Sequence, residues 1–258
     1  MDWKLATLGV GVTFFGTGLG ALPALALGNL SLRANNLLIG FSAGIMLSAS
    51  AFSLIIPALD LAKPQFHSEF TSATLVGACI LTGALFLYLC NRYIPHEHFV
   101  SGRQGGQAGV ELKRIWLFIF AITLHNFPEG LAVGSSIGGQ SIQLALPIIA
   151  GIGFQDFPEG FVVAASLLTA GYSKTTSLYV SLVTGLVESF AAILGLVMTS
   201  SMQVLLPWSL AFAGGAMVYV VLEEMIPEIR AKSPVGEGTA GVLVGFVVMM
   251  VLDVALGG

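Results

Sequence analysis

Two six-residue words, HNFPEG at 125–130 and QDFPEG at 155–160, start 30 positions apart, each inside a long apolar stretch. On a helix successive residues advance by about 100°, so Asn126 stands about 100° and Glu129 about 40° round from His125. Glu129 lies between the other two and can share a ligand with either. Gln155, Asp156 and Glu159 repeat the arrangement. A carboxylate at membrane depth costs a few kcal/mol on insertion scales. Four of them, Glu129, Asp156, Glu159 and Glu188, do not stay ionised side by side without cations. A divalent metal is the natural partner. Imidazole with carboxylates suits zinc or another first-row ion, and amide oxygens give a loose, exchangeable shell. Two glutamates able to bridge point to two adjacent metal positions. A protonated carboxyl cluster that only ties helices together is the plainer alternative, and the matched words plus Glu188 argue against it.

These residues need elements that carry them to one depth. The chain has 258 residues, 55% hydrophobic and 9% charged, with mean hydropathy +0.90. Soluble domains carry about 25% charged residues, so the fold class is an all-α polytopic membrane protein forming one transmembrane domain over 1–258. A crossing helix needs about 20 apolar residues. Eight stretches qualify: 4–28, 35–60, 70–91, 115–138, 143–170, 175–200, 204–228 and 237–257. Connections are short and turn-rich, except a segment over about 92–114 that is rich in Gly, Gln and charge and is expected to be mobile. The uncharged run from Leu5 to Leu32 is too long for a signal peptide's apolar core. Arg33, Arg92, Arg103, Lys113, Arg114, Lys174, Arg230 and Lys232 follow odd-numbered spans, and only Lys4 and Lys63 lie on the other side. This asymmetry puts the loops after spans 1, 3, 5 and 7 in the cytoplasm and both termini outside. Spans 4 and 5 then run in opposite directions and bring the two words to similar depth near the midplane. "SAGIMLSASAFSLIIP" in span 2 and "AGGAMVYVVLEEMIP" in span 7 share a small-residue cluster, a Met and an Ile-Pro, so spans 1–3 and 6–8 read as an inverted repeat. Pro128 and Pro158 free the carbonyls of Leu124 and Phe154. Such breaks are tolerated where backbone lines a cavity. Gly130 and Gly160 leave room for a close neighbour.

Other candidates are weaker. Met46 could offer a soft sulfur. Glu223 and Glu224 sit within span 7 on a possible metal path, and Asp60 and Asp253 near outer span ends suit solvated caps or a cation entrance. His96 and His98 are loop histidines with unspecific spacing, and His67 has no visible partner. Cys79 and Cys90 share one apolar segment and read as core thiols. Ten Lys and Arg without a basic cluster exclude a nucleic-acid partner.

At these motifs the chain resembles the ZIP (Zrt/Irt-like protein) family of metal transporters, in its prokaryotic GufA-type branch. The likeness spans the whole chain. Many members of the wider family have His first in the second word; Gln155 and Asp156 depart from that pattern and match the GufA-type variant. The resemblance implies one metal held by Met46, His125, Glu129, Gln155 and Glu159. It implies a second held by Asn126, Glu129, Asp156, Glu159 and Glu188, with Glu129 and Glu159 bridging. It further implies a 3+2+3 helix arrangement, a homodimer in the inner or plasma membrane, and elevator-like uptake of zinc or related ions (Cd²⁺, Fe²⁺, Mn²⁺) into the cytoplasm, with no catalytic cofactor. A metal-selective channel, or a membrane metal sensor without flux, would use the same ligands. An intramembrane zinc hydrolase is disfavoured: there is no HExxH, and His125 is the one histidine within a span.

Overall fold

Three serines start helices where turns end. Ser31, Ser141 and Ser173 each accept a backbone N–H three residues on, from Ala34, Leu144 and Thr176, the usual satisfaction of an orphan helix donor. In this computed structural model the described residues are 3–27, 31–66, 68–93, 108–139, 141–232 and 236–257. Among them the chain is helical and has no β-strand. The helices are α1 (Trp3–Leu27), α2 (Leu32–Ser48), α3 (Ile56–Ala62), α4 (Glu69–Tyr93) and α5 (Ala108–Gly138). After these come α6 (Ile142–Thr169), α7 (Lys174–Ser201), α8 (Leu206–Val220), α9 (Ile226–Lys232) and α10 (Glu237–Gly257). After α6 the chain turns through Gly171 at φ +87°. Tyr172 N–H bonds Leu167 O and Gly171 N–H bonds Leu168 O, the paired closure that favours glycine at the left-handed position.

Two long rods contain a wide turn. A π segment, Ala49–Ile55, joins α2 to α3, and another, Val221–Met225, joins α8 to α9. Ile56 N–H reaches Ala51 O and Ile226 N–H reaches Val221 O, each five residues back. Pro57 and Pro227 follow at once. A proline ring crowds the carbonyl four residues before it, and the wider turn relieves that contact.

Among the described residues seven stretches are long and apolar enough to cross a membrane. Each corresponds to an expected span. The fourth expected span lies within α5, which is helical and is not among the seven. α5 also begins at Ala108, inside the stretch expected to be loop. His67, His96 and His98 fall outside the described residues.

The helices pack as two groups. α5 lies along α7, and α1 along both α6 and α7; α2 lies along α10, and α4 along α8. The groups meet where α5 faces α8 and where α6 faces α2 and α10. Without water, helices associate through close van der Waals contact, which small residues permit. A Cβ on Gly130 or Gly134 would overlap the carbonyls of Glu188 and Ala192, and one on Gly160 would overlap Thr17 O. Large exposed apolar side chains, including Leu81, Phe190 and Val247, form the outer face expected against lipid.

Candidate metal centre

The site is built from α5 and α6, each bringing its polar word to the contact between the two groups. His125 is 8% exposed, Glu129 1%, and Asn126, Gln155, Asp156 and, on α7, Glu188 are fully buried. Glu129, Asp156 and Glu159 each offer a carboxylate oxygen within 4.8 Å of the others. Gln155 Nε2 donates to Glu129 Oε1. His125 Nε2 lies 2.8 Å from Glu224 Oε1, which the π segment after α8 presents across the group boundary. One arm of the Asn126 amide lies 3.1 Å from Glu159 Oε1 and 2.7 Å from Ile122 O. With nitrogen on that arm, Asn126 donates to both; with oxygen there, acceptors face each other across a gap that suits a cation.

The hydrogen-bond account points the same way. Glu129 Oε2, Gln155 Oε1, both carboxylate oxygens of Asp156 and both of Glu188 are buried without a hydrogen-bond partner. Buried acceptors are normally satisfied. Here six acceptor oxygens of one buried cluster lack donors, which is a set that a hard or borderline divalent cation can satisfy.

The cluster has two sides. Met46, His125, Glu129, Glu159 and Glu224 line a cavity of about 80 Å³, with Ile39, Ser42 and Val220 among its apolar and hydroxyl walls. Asn126, Gln155, Asp156 and Glu188 do not line that cavity. All eight expected ligands except Glu188 and Met46 come from the two words; the fold brings Glu188 in on α7 and Met46 on α2. Glu224 sits closer to the centre than expected, as a direct partner of His125. Glu223 is exposed.

Asp60 and Asp253 are not brought together. Asp60 is exposed and paired with Lys63 Nζ at 2.8 Å, in a groove with Glu69 and Ser72. Asp253 accepts from Ser53 Oγ at 2.6 Å, in a separate groove lined by Phe52, Pro57, Gln143 and Pro147. Sequence reasoning left α1 out of the site. Gly16 lies directly against the Asp156 carboxylate, and the hydroxyls of Thr13 and Thr17, one turn apart, were the available signal.

A family profile described as ZIP Zinc transporter matches residues 100–253. The chain is 44% identical to the zinc transporter GufA of Myxococcus xanthus over 93% of its own length and 94% of that protein's. It is 39% identical to the zinc transporter ZIPB of Bordetella bronchiseptica, over 98% of this chain and 81% of that one. It is also 32% identical to the zinc transporter ZIP11 of Xenopus tropicalis, over 85% and 87% of the two chains. With its paired words, helical membrane architecture and buried carboxylate cluster, the chain belongs to the ZIP zinc transporter family.

Proposed function

We propose that this chain carries Zn²⁺, and related ions such as Cd²⁺, Fe²⁺ and Mn²⁺, into the cytoplasm through a binuclear site between α5 and α6. The observation that carries the reading is the set of six buried acceptor oxygens without donors. A fixed protein core would pair or avoid them. A site that loads and releases its cargo leaves them open.

In this reading the cavity-side cation takes Met46, His125, Glu129, Gln155 and Glu159. The deep one takes Asn126, Glu129, Asp156, Glu159 and Glu188. Mixed sulfur, nitrogen, amide and carboxylate donors hold a zinc-class ion without the closed four-ligand shell of a structural site. Glu224 stands beside His125 on the other helix group and offers the next carboxylate along the path. The cavity lies toward Val162 and Met225, on the side of the basic loops, so it faces the cytoplasm.

The architecture read here has eight spans in a 3+2+3 arrangement, with both termini outside the cell membrane and two copies forming a dimer. Its inverted repeat is supported by the packing pairs. Exchanging α1 with α7, α2 with α8, α4 with α10 and α5 with α6 maps the main pairs onto one another, except that α6–α10 has no counterpart of similar extent in α4–α5. The π segments, each ending at an Ile-Pro, also exchange. Transport then proceeds by sliding the α1–α5–α6–α7 group past the other, as an elevator. A transporter of this kind does no covalent chemistry, so the chain is read as no enzyme.

The test is Zn²⁺ entry into proteoliposomes, followed with an internal fluorescent chelator, for wild type and Glu159→Ala. Saturable entry is expected, falling to the level of empty liposomes in the variant. Entry that does not saturate favours a channel. No entry from protein that still binds Zn²⁺ replaces transport with a sensor.

A further inference from the structure

Thr17 is fully buried and its hydroxyl has no hydrogen-bond partner. A helical threonine ordinarily folds its hydroxyl back onto a carbonyl three or four residues earlier. Thr7, Thr13, Thr74, Thr123, Thr184 and Thr199 all do so here. Thr17 departs from that rule at one particular place. Its neighbour Gly16 has no Cβ, and the Asp156 carboxylate rests on the backbone there. The Thr17 carbonyl touches Gly160, one residue past Glu159. One turn earlier on the same face, Thr13 Oγ1 lies 3.1 Å from Ser189 Oγ, next to Glu188.

These contacts set the level of Thr17. Gly185 of α7 abuts the carbonyls of Thr13 and Phe14, and Asn126 reaches Thr184 O at 3.4 Å. Asn126 on α5 therefore stands level with the turn of α1 that runs from Thr13 toward Thr17. Helical side chains tilt toward the N-terminus of their own helix. For Thr17 that direction leads from its own level toward Gly16 and Asp156. For Glu188 it leads back along α7 toward Thr184. The unpaired hydroxyl, the two unpaired carboxylates and the Asn126 amide thus lie within about one helical turn of one another in height, and none of them lines the cavity.

We propose that Thr17 is a ligand of the deep cation position. It completes with Asn126, Asp156 and Glu188 a shell made only of oxygen, suited to a hard divalent cation such as Mn²⁺. The cavity-side position, with the Met46 sulfur and the His125 nitrogen, keeps the zinc-class ion. Oxygen-only shells favour Mn²⁺, Mg²⁺ and Ca²⁺, and sulfur and imidazole favour zinc. A neutral hydroxyl adds a donor without adding another charge to the carboxylates.

The inference rests on the binuclear reading above. The experiment uses the full chain in detergent with one equivalent of Zn²⁺, then titrates Mn²⁺ and reads bound ion from loss of the free aqua-Mn²⁺ EPR signal. Wild type is expected to take up one Mn²⁺, Thr17→Val to bind it about tenfold more weakly, and Thr17→Ser to restore binding. Unchanged Mn²⁺ affinity in Thr17→Val, or no restoration by Thr17→Ser, overturns the assignment. Thr17→Cys gives a gained signal that does not depend on the valine variant folding. A thiolate-to-Cd²⁺ ultraviolet band is expected beyond the wild-type baseline that Cys79 and Cys90 set, and its absence also overturns the assignment. Wild type that binds Zn²⁺ but no Mn²⁺ removes the oxygen-shell claim alone. Wild type that binds neither ion removes the binuclear reading itself.

Discussion

At Gln155 an amide stands where many family members have imidazole, and its single contact defines what the exchange would do. Nε2 holds Glu129 while Oε1 is left open. An amide oxygen is the weaker donor to zinc, so in the proposed site it would hold the ion loosely and release it readily. Gln155→His is therefore expected to lower the KM for Zn²⁺ by about tenfold and to lower the maximal rate with it, because release becomes slower. Initial rates of Zn²⁺ entry over a range of concentrations read both at once. A lower KM with an undiminished maximal rate contradicts slow release as the limiting step. This residue level was the most legible in sequence. The angles of His125, Asn126 and Glu129 follow from helical spacing alone. Glu224 was less legible: it was visible as a carboxylate in span 7, but which of the adjacent Glu223 and Glu224 faces His125 depends on the π segment, and helical periodicity assumes a uniform turn.

The elements position the site by backbone contact rather than by large side chains. α5 meets α7 at Gly130 and Gly134, one turn apart, where a Cβ would collide with the carbonyls of Glu188 and Ala192. Those carbonyls belong to α7's own backbone and cannot rotate aside. Gly134→Ala is expected to separate the two helices and cost about 1–3 kcal/mol through overpacking. Its apparent melting temperature in detergent should fall by several degrees, and Zn²⁺ binding should weaken as Glu188 withdraws. Gly77, on α4, has nothing within 4 Å of where a Cβ would stand. Gly77→Ala should leave both readings unchanged. Equal effects at the two positions would mean that helix separation is not what limits stability. Element existence was plain from hydropathy, and every expected span falls on a helix. The start of α5 was not, because 108–114 is polar and reads as loop until a helix continues through it. The partners of the outer aspartates were less legible for a related reason. Sequence placed Asp60 and Asp253 at the same end, but could not say that Lys63, three residues on, would take Asp60 as its partner.

At the scale of the whole molecule, the division into two helix groups offers a test of the proposed carrier against a channel. The candidate ligands are unequally shared. His125, Asn126, Glu129, Gln155, Asp156, Glu159 and Glu188 lie on α5, α6 and α7, in one group, while Met46 and Glu224 come from the other. An elevator must slide the first set past the second, whereas a channel can conduct with both held still. Phe127 of α5 and Phe86 of α4 face each other across that boundary, with ring centroids 6.1 Å apart. Thr13 and Ser189 touch within a single group, Oγ to Oγ at 3.1 Å. The test is two double-cysteine variants, made in a background with Cys79 and Cys90 replaced by serine. Linking Phe86→Cys to Phe127→Cys with a short bifunctional thiol reagent should abolish Zn²⁺ entry into proteoliposomes, and a cleavable linker should allow reductant to restore it. Oxidising Thr13→Cys with Ser189→Cys should leave entry at the unlinked rate, because those helices move together. Entry that persists with α4 and α5 linked means that the ion passes between stationary helices, and the carrier reading gives way to the channel.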